Sequence, residues 1–445
     1  MVLRPPRRWI YVISPLLTLL MGYYLFYGPT SRRSGDNILS NLPPQQAQSR
    51  PSDCPRLPGL EDIQVVLKTG ATESLDKVTA HFNTTLRCIP HYVVFSDLEE
   101  DVSGIHFHDV LRGVSEDVRN YNQDFEIYDV IREYGREEAF KLLHGSDPTE
   151  DDPNGALGQQ TNPGWRLDKW KFLQMIHESL AIRDDAKWYI FMETDTYIVW
   201  SNLLTWLEKF DHTKPYYLGG QMQIADIVFA YGGSGIILSQ VGMRQVADHH
   251  AAHLMEWDEF TAQQWAGDCV LGKVAQDAGV TLRWAWPMLQ FFTPWDVNYQ
   301  VPLYGGKSPW CFPSVSFHHM KPDDIQKMVA FEEQWSQKHN ETTIMLYSDV
   351  FRNLIQPNIN TVHENWDNLA GDDSGKVKNL AECKARCLDD TECLQYAYES
   401  KKCRTSKVVQ LGGSKSGVTS GWHPERVNAV LGELGSCEDV DWIAP

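Results

Sequence analysis

Two carboxylates one residue apart, in Glu193-Thr194-Asp195, stand directly after the apolar run Trp188-Tyr189-Ile190-Phe191-Met192. Alternate residues of an extended turn point the same way, so Glu193 and Asp195 are expected to face one cation. Oxygen donors of this kind suit Mg²⁺ or Mn²⁺, ions that bridge a diphosphate and stabilise charge on a departing nucleotide. The plainer reading is an acidic turn that caps the next element, and the tripeptide alone does not exclude it. Three later stretches carry candidates of their own. In Tyr231-Gly232-Gly233-Ser234-Gly235 the glycines permit positive φ and close backbone approach to a ligand, or simply make a tight turn into a buried strand. Asp268, in Trp265-Ala266-Gly267-Asp268-Cys269, precedes a helical segment and reads most simply as its N-cap. In Val315-Ser316-Phe317-His318-His319-Met320 one imidazole could complete a carboxylate-bound metal. If this stretch is extended the two histidines point to opposite faces, so only one of them reaches the site.

These residues need a scaffold, and the pattern supplies an α/β one. Ile63 to Gly70 reads as a short apolar strand ending in a turn, and Tyr92 to Asp97 as a second strand beyond a helical stretch. Strand, helix, strand at this spacing suggests a parallel βαβ start. Leu167 to Leu180 reads as a helix, with Trp170, Leu173, Ile176 and Leu180 at helical spacing. Lys187 to Met192 follows as a buried strand that delivers Glu193-Thr194-Asp195 to its carboxyl end, where open α/β sheets bind ligands. Between them, Gly145 to Gly164 is a long Gly/Pro/Asp-rich loop. The aromatic residues Trp284, Trp286, Trp295, Tyr299 and Trp310 read mainly as core packing.

The 445 residues suggest two domains plus an anchor. An apolar share of 42% is that of a globular protein, and a net charge of −19 argues against a nucleic-acid partner. Residues 1–9 read as a cytoplasmic tail carrying Arg4, Arg7 and Arg8. The apolar run 10–27 reads as a single transmembrane anchor, and the Pro/Ser/Gln-rich 28–58 as a flexible stem. The rest of the chain then enters the secretory lumen, where Asn83-Thr84-Thr85 and Asn340-Glu341-Thr342 are glycosylation acceptors. Nine cysteines agree with that oxidising compartment. Cys54 and Cys88 could tie the stem to the first βαβ unit. In the tail, Cys383 and Cys387 share one face of a helix over Val377 to Leu388 and are expected to be stapled to Cys393 and Cys403 on strands. The odd cysteine is Cys269, Cys311 or Cys437.

The segment Trp188 to Leu203, together with Gly232-Gly233, Asp268 and Ser316-Phe317-His318, closely resembles the Fringe and core 1 β1,3-galactosyltransferases of glycosyltransferase family 31. The landmarks recur in order over roughly Ile63 to Met320. The resemblance implies a nucleotide-sugar-binding domain of the GT-A-like type over 59–347. It also implies a type II Golgi membrane protein that transfers a hexose, galactose in the nearest precedent, from a UDP-sugar to a glycan or glycoprotein acceptor. The transfer would depend on Mn²⁺ or Mg²⁺ and form a β-linkage with inversion. Asp195 and His318 then stand as metal ligands with Glu193 assisting, and Asp268 as the base. Thr194, Gly232, Gly233 and Ser234 line the donor site. The sequence departs from the family's three consecutive aspartates by carrying Glu-Thr-Asp, and Gly267 replaces the acid that usually precedes Asp268. These departures keep open a non-catalytic relative acting as a lumenal chaperone or lectin-like protein. Residues 360–445 resemble a PAN/Apple domain, a small disulfide-rich α+β fold whose relatives bind proteins or glycans. A surface adhesion protein that works through this tail is a further alternative.

Overall fold

The computed structural model describes residues 51–144, 163–302, 306–340, 343–359 and 362–444. The expected cytoplasmic tail, the anchor over 10–27 and most of the stem lie outside these residues, as do 145–162 of the expected loop. Among the described residues no helix is long and apolar enough to cross a membrane.

Among the described residues twelve strands precede the tail: β1 (Ile63–Lys68), β2 (Tyr92–Ser96), β3 (Glu100–Val102), β4 (Ile105–Asp109), β5 (Trp188–Glu193), β6 (Tyr197–Ile198), β7 (Tyr217–Gly219), β8 (Gln221–Ile224), β9 (Ile227–Ala230), β10 (Ile236–Ser239), β11 (Leu282–Trp284) and β12 (Ser316–Phe317). Eight form one mixed sheet in the order β11-β7-β10-β5-β1-β2-β4-β3. The centre is parallel, as the βαβ reading requires: β1 pairs with β2 on one side and β5 on the other. The half toward β11 also contains antiparallel pairs, because β10 runs against both β5 and β7.

Every residue of β1 and β2 is buried, the mark of strands covered on both faces. Period-two alternation divides the side chains between two cores. Ile63, Val65 and Leu67 join Trp188, Ile190 and Met192 on one face, beneath Leu203, Trp206 and Leu207. Val66 joins Tyr189 and Phe191 on the other, beneath Phe172, Leu173 and Ile176 and the apolar face around Val270 and Val274. The helices that supply these faces are α1 (Leu75–Phe82), between β1 and β2, then α2 (Pro163–Ile182), α3 (Trp200–Leu207), α4 (Gln240–Ala252) and α5 (Gly267–Asp277). Helix α2 starts four residues before the expected Leu167, taking in Pro163 and Gly164.

The tail is a five-stranded antiparallel sheet, in the order β13-β17-β15-β16-β14. Its strands are β13 (His363–Asp367), β14 (Asp372–Lys376), β15 (Gln395–Glu399), β16 (Lys402–Ser406) and β17 (Gly413–Trp422), with α6 (Leu380–Asp389) packed against it. Disulfides Cys383–Cys403 and Cys387–Cys393 pin α6 to the sheet and the turn before it. Cys54 is bonded to Cys88, and Cys311 to Cys437, so the unpaired cysteine is the buried Cys269. Asn83 is exposed at the end of α1, as an acceptor must be.

The tail shares a core with the main body. Leu394, Val409, Leu411 and Trp422 belong to the same apolar cluster as Tyr197, Phe317, Tyr347 and Phe351. The backbone N–H groups of Leu411 and Gly412 both donate to the Trp295 carbonyl at 3.0 Å. Further along, the Trp206 indole donates to the Ile443 carbonyl at 2.9 Å, so the last turn of chain returns to the main core. A shared core predicts a single unfolding transition by both tail and sheet probes; two separated transitions would contradict it. Breaking the Cys311–Cys437 link, which spans 126 residues, with Cys311→Ser and Cys437→Ser together should cost about 2–5 kcal/mol in chemical denaturation.

Candidate functional site

The site lies at the carboxyl ends of β1 and β5, where Lys68 is in register with Glu193. The Lys68 ammonium lies 2.9 Å from Glu193 Oε1, and it donates a short hydrogen bond to Asp168 of α2. It also sits 4.6 Å above the Phe172 ring. Burial opposes its charge, but the two carboxylates outweigh burial and hold Lys68 firmly protonated. This arrangement corrects the expectation that both carboxylates of Glu193-Thr194-Asp195 face one cation. The Glu193 carboxylate points to an ammonium already inside the protein, and Asp195 is left to face elsewhere.

Asp195 meets two imidazoles. Its Oδ1 lies 3.1 Å from His318 Nε2, and its Oδ2 lies 3.6 Å from His319 Nδ1. The local cause is the ribbon of β6 and β12, in which Phe317 pairs with Tyr197 and Ser316 with Ile198. That register carries His318 back beside Asp195, and the Met320 N–H closes the turn on the Asp195 carbonyl at 2.9 Å. The strand ends at Phe317, and His319 adopts φ 60°, a left-handed conformation. The extended geometry that would separate the two histidines is therefore absent, and both rings face Asp195 with their centroids 3.8 Å apart. His319, assigned from the sequence to the far face, stands beside Asp195 as well. Burial alone raises the Asp195 pKa, but the charge of His318, with that of His319 beside it, holds it well below the ordinary carboxylate range. His318 Nδ1 is buried without a hydrogen-bond partner.

The glycine stretch joins this cluster to Asp268. A β-carbon at Gly233 would lie 2.1 Å from the His318 ring, so no other residue fits there without displacing the imidazole. The Gly233 carbonyl accepts from Thr196 Oγ1 at 2.8 Å, and the Gly232 N–H donates to Asp268 Oδ2 at 3.0 Å. Ser234 is buried; its hydroxyl donates to the Tyr231 carbonyl at 2.9 Å, and its own carbonyl accepts from Ser316 Oγ. Ser234 thus ties the turn to the His318 strand through bonds within the protein.

Asp268 is not the N-cap expected from the sequence. Helix α5 begins at Gly267, with Ala266 in the capping position, and Asp268 lies inside the first turn. Its Oδ1 accepts from the Cys269 N–H at 2.9 Å. Burial pushes its pKa up to about 6, against the Gly232 hydrogen bond that stabilises the ion, with the Glu193 charge adding to the rise. Gly267, where the resemblance would place an acid, is set by packing. A β-carbon there would come within 2.6 Å of the Lys169 α-carbon in α2, which leaves no room for a side chain.

Sequence reasoning did not find several residues that hold the site. Lys68 and Asp168 are two of them. His81 of α1, fully buried, donates from Nε2 to the Thr194 carbonyl at 2.8 Å. Thr194 in turn donates from Oγ1 to Glu73 Oε2 at 3.1 Å. The available signal was a lysine at the end of an otherwise apolar strand and a histidine on the buried face of a short helix. Neither reveals its partner without the fold.

Residues 168–303 match a family model described as Fringe-like. The match includes Glu193, Thr194, Asp195, Gly232, Gly233, Ser234 and Asp268, and it ends before His318. The chain is also similar to the glycoprotein-N-acetylgalactosamine 3-beta-galactosyltransferase 1 of Xenopus laevis, with 23% identity over 207 residues. That alignment takes in 43% of this chain and 57% of the relative. Together the two matches support a glycosyltransferase domain built on the mixed sheet.

Two substitutions test the architecture of the site. Gly233→Ala should cost about 1–3 kcal/mol by overpacking against His318, read by denaturant unfolding. Lys68→Met should cost about 3 kcal/mol, since Asp168 and Glu193 would lose their shared counter-charge. An unchanged unfolding midpoint in the second variant would show that the ammonium does not hold β1, α2 and β5 together.

Proposed function

We propose that the chain is an inverting, metal-dependent glycosyltransferase that moves a hexose from a UDP-sugar to a glycan or glycoprotein acceptor. The observation that carries this reading is the meeting of Asp195, His318 and His319 beside a glycine turn whose N–H also orients Asp268. The name of the Xenopus laevis relative favours galactose as the sugar and an N-acetylgalactosamine-bearing glycoprotein as the acceptor. The resemblance over Ile63 to Met320 supports a Golgi lumenal setting, and the disulfides agree with an oxidising compartment.

One carboxylate and two imidazoles, with donor atoms within 4.8 Å of one another, fit a divalent metal. Nitrogen donors favour Mn²⁺ over Mg²⁺, which prefers an all-oxygen shell. A bound ion would neutralise the diphosphate of the donor and stabilise the charge that develops on UDP. The chain's own residues do the rest. Lys68 fixes the Glu193 carboxylate at the edge of the site, while Thr194 is positioned by His81 and Glu73. Asp268 accepts the proton of the acceptor hydroxyl as its oxygen attacks the anomeric carbon, and the sugar–phosphate bond breaks on the opposite face. The N–H groups of Gly232 and Cys269 hold the Asp268 carboxylate in one orientation for that transfer. A non-catalytic relative that binds nucleotide or glycan has one observation in its favour, the engagement of Glu193 by Lys68.

The deciding experiment is a panel of UDP-sugars against the purified chain with and without Mn²⁺. Mn²⁺-dependent UDP release is expected with at least one donor; UDP binding without turnover by any donor would select the non-catalytic reading. Asp268→Asn should lower kcat by about 10²–10⁴-fold with UDP affinity unchanged. A base of pKa about 6 must be ionised to act, so kcat/KM should rise with pH through that value. At pH 5 it should be about tenfold below its plateau. A profile flat across this range would remove Asp268 from the role of base.

A further inference from the structure

A second cluster of donor atoms lies at the far edge of the main sheet, on the β3–β4 hairpin. The register sets Asp101 opposite His106. Side chains two apart on a strand share a face, so His106 and His108 of β4 project together, alongside Glu99 and Asp101 of the facing chain. His106 Nδ1 lies 3.0 Å from Asp101 Oδ1, and His106 Nε2 lies 2.8 Å from Glu99 Oε1. His108 Nδ1 faces the same Glu99 oxygen at 3.9 Å, too far for a hydrogen bond. The other oxygen, Oε2, is engaged separately, by the Asp109 N–H at 2.8 Å and by Arg112 at 2.8 Å.

We propose that Glu99, His106 and His108 form a second metal site, which takes a divalent transition-metal ion of the zinc class. The decisive group is His108. It is 3% exposed, and its Nδ1 is buried with no hydrogen-bond partner while aimed at the Glu99 carboxylate. A buried imidazole nitrogen left unpaired calls for an explanation, and a ligated ion supplies one. His106 presents Nε2 to the same point, while Asp101 holds its Nδ1. A carboxylate on the remote nitrogen of a metal-bound histidine fixes the tautomer and raises ligand basicity. Arg112 and the Asp109 N–H fix Oε2 and leave Oε1 turned toward both imidazoles.

The three donor atoms lie within 4.8 Å of one another. Zinc bonds of about 2.0–2.2 Å set donors about 3.3–3.6 Å apart, so closure draws His108 Nδ1 toward Glu99 Oε1 and opens the 2.8 Å His106–Glu99 pair, each by about half an ångström. The side chains of Glu99 and His106 are 44% and 38% exposed and can make that movement, with an open path to solvent. Two nitrogens and one oxygen suit Zn²⁺ better than Mg²⁺ or Ca²⁺, and three protein ligands leave one position for water or an incoming group. The ion would clip the short edge strand β3 to β4, away from the Asp195 cluster.

Metal counting on the chelator-stripped chain, re-equilibrated with Zn²⁺ and dialysed, tests the site. His106→Gln and His108→Gln should each bind one Zn²⁺ fewer per chain than the unsubstituted protein, with the Asp195 cluster unchanged in all three. Asp101→Asn should keep the site but weaken it by about 10–100-fold. His106→Gln alters a side chain already partly exposed, so it remains informative where His108→Gln disturbs folding. Zinc stoichiometry equal to the unsubstituted chain in His106→Gln, or no zinc bound by the unsubstituted chain, overturns the proposal and leaves a protonated His106–Glu99 ion pair in its place.

Discussion

The Lys68 ammonium is the constraint from which the rest of the site follows. A lysine at the end of a strand buried on both faces must find negative charge within reach, because an unpaired ion there costs several kcal/mol. It finds two carboxylates on different elements, Asp168 on α2 and Glu193 at the end of β5. That requirement positions the start of helix α2 at the carboxyl ends of β1 and β5 and turns Glu193 inward. The adjacent pair repeats the logic: Lys171, one position before Phe172, lies 3.1 Å from Asp97 at the end of β2 and donates to the Thr69 carbonyl at 2.8 Å. The carboxyl ends of β1, β2 and β5 are thus tied to one helix by two ammonium groups. Asp195, which has no such internal cation, is free to meet the histidines brought by β12.

Shape completes what charge begins. The turn at Gly232-Gly233 can lie between Glu193, His318 and Asp268 only because it carries no side chains. Three parts of the chain more than thirty residues apart converge on it: a methyl group would collide with Glu193 at Gly232 and with His318 at Gly233, while Asp268 is held by the Gly232 N–H. The tail adds a support from outside. The Trp295 carbonyl accepts two N–H groups from Leu411 and Gly412, and it belongs to the loop whose Phe292 carbonyl accepts the His318 N–H at 3.2 Å. The disulfide-rich segment therefore buttresses the backbone that carries a candidate ligand. This gives the tail a structural role.

The central sheet was legible because its strands are uniform. Continuous apolar runs at Ile63, Tyr92 and Trp188 read as buried strands, and they pair as a parallel core. The helix with Trp170, Leu173 and Ile176 was equally plain, since periodicity reports burial directly. The antiparallel insertion of β10 was not legible, because local pattern says nothing about which neighbour a strand takes. Within the site, ordered landmarks located Asp195, Gly232, Gly233, Asp268 and His318, but not what each one touches. The parallel projection of Glu193 and Asp195 was an argument from local geometry alone, and a lysine 125 residues away decided otherwise. Asp268 misread as a cap for a similar reason: a carboxylate at a helix start looks the same whether it serves the first turn or a distant glycine N–H.

His319 shows most clearly why a short motif underdetermines a site. Read as a strand, the pair His318-His319 offers one ligand. Read as a strand that stops at Phe317, it offers two, and the difference is a single φ of 60°. Left-handed backbone at a non-glycine residue costs about 1–2 kcal/mol, so it persists where surrounding contacts hold it. Here the Met320 N–H bonded to the Asp195 carbonyl does so, immediately after the turn. The same bond that closes the turn brings the second imidazole to the carboxylate. A donor set gaining one nitrogen in this way moves from the hard oxygen chemistry suggested by the acidic tripeptide toward the borderline metals. The diversion of Glu193 to Lys68 and the addition of His319 thus pull in one direction: the cluster holds less negative charge and more nitrogen than the tripeptide alone implies, and on the proposed metal-dependent reading a bound ion would be Mn²⁺ in preference to Mg²⁺.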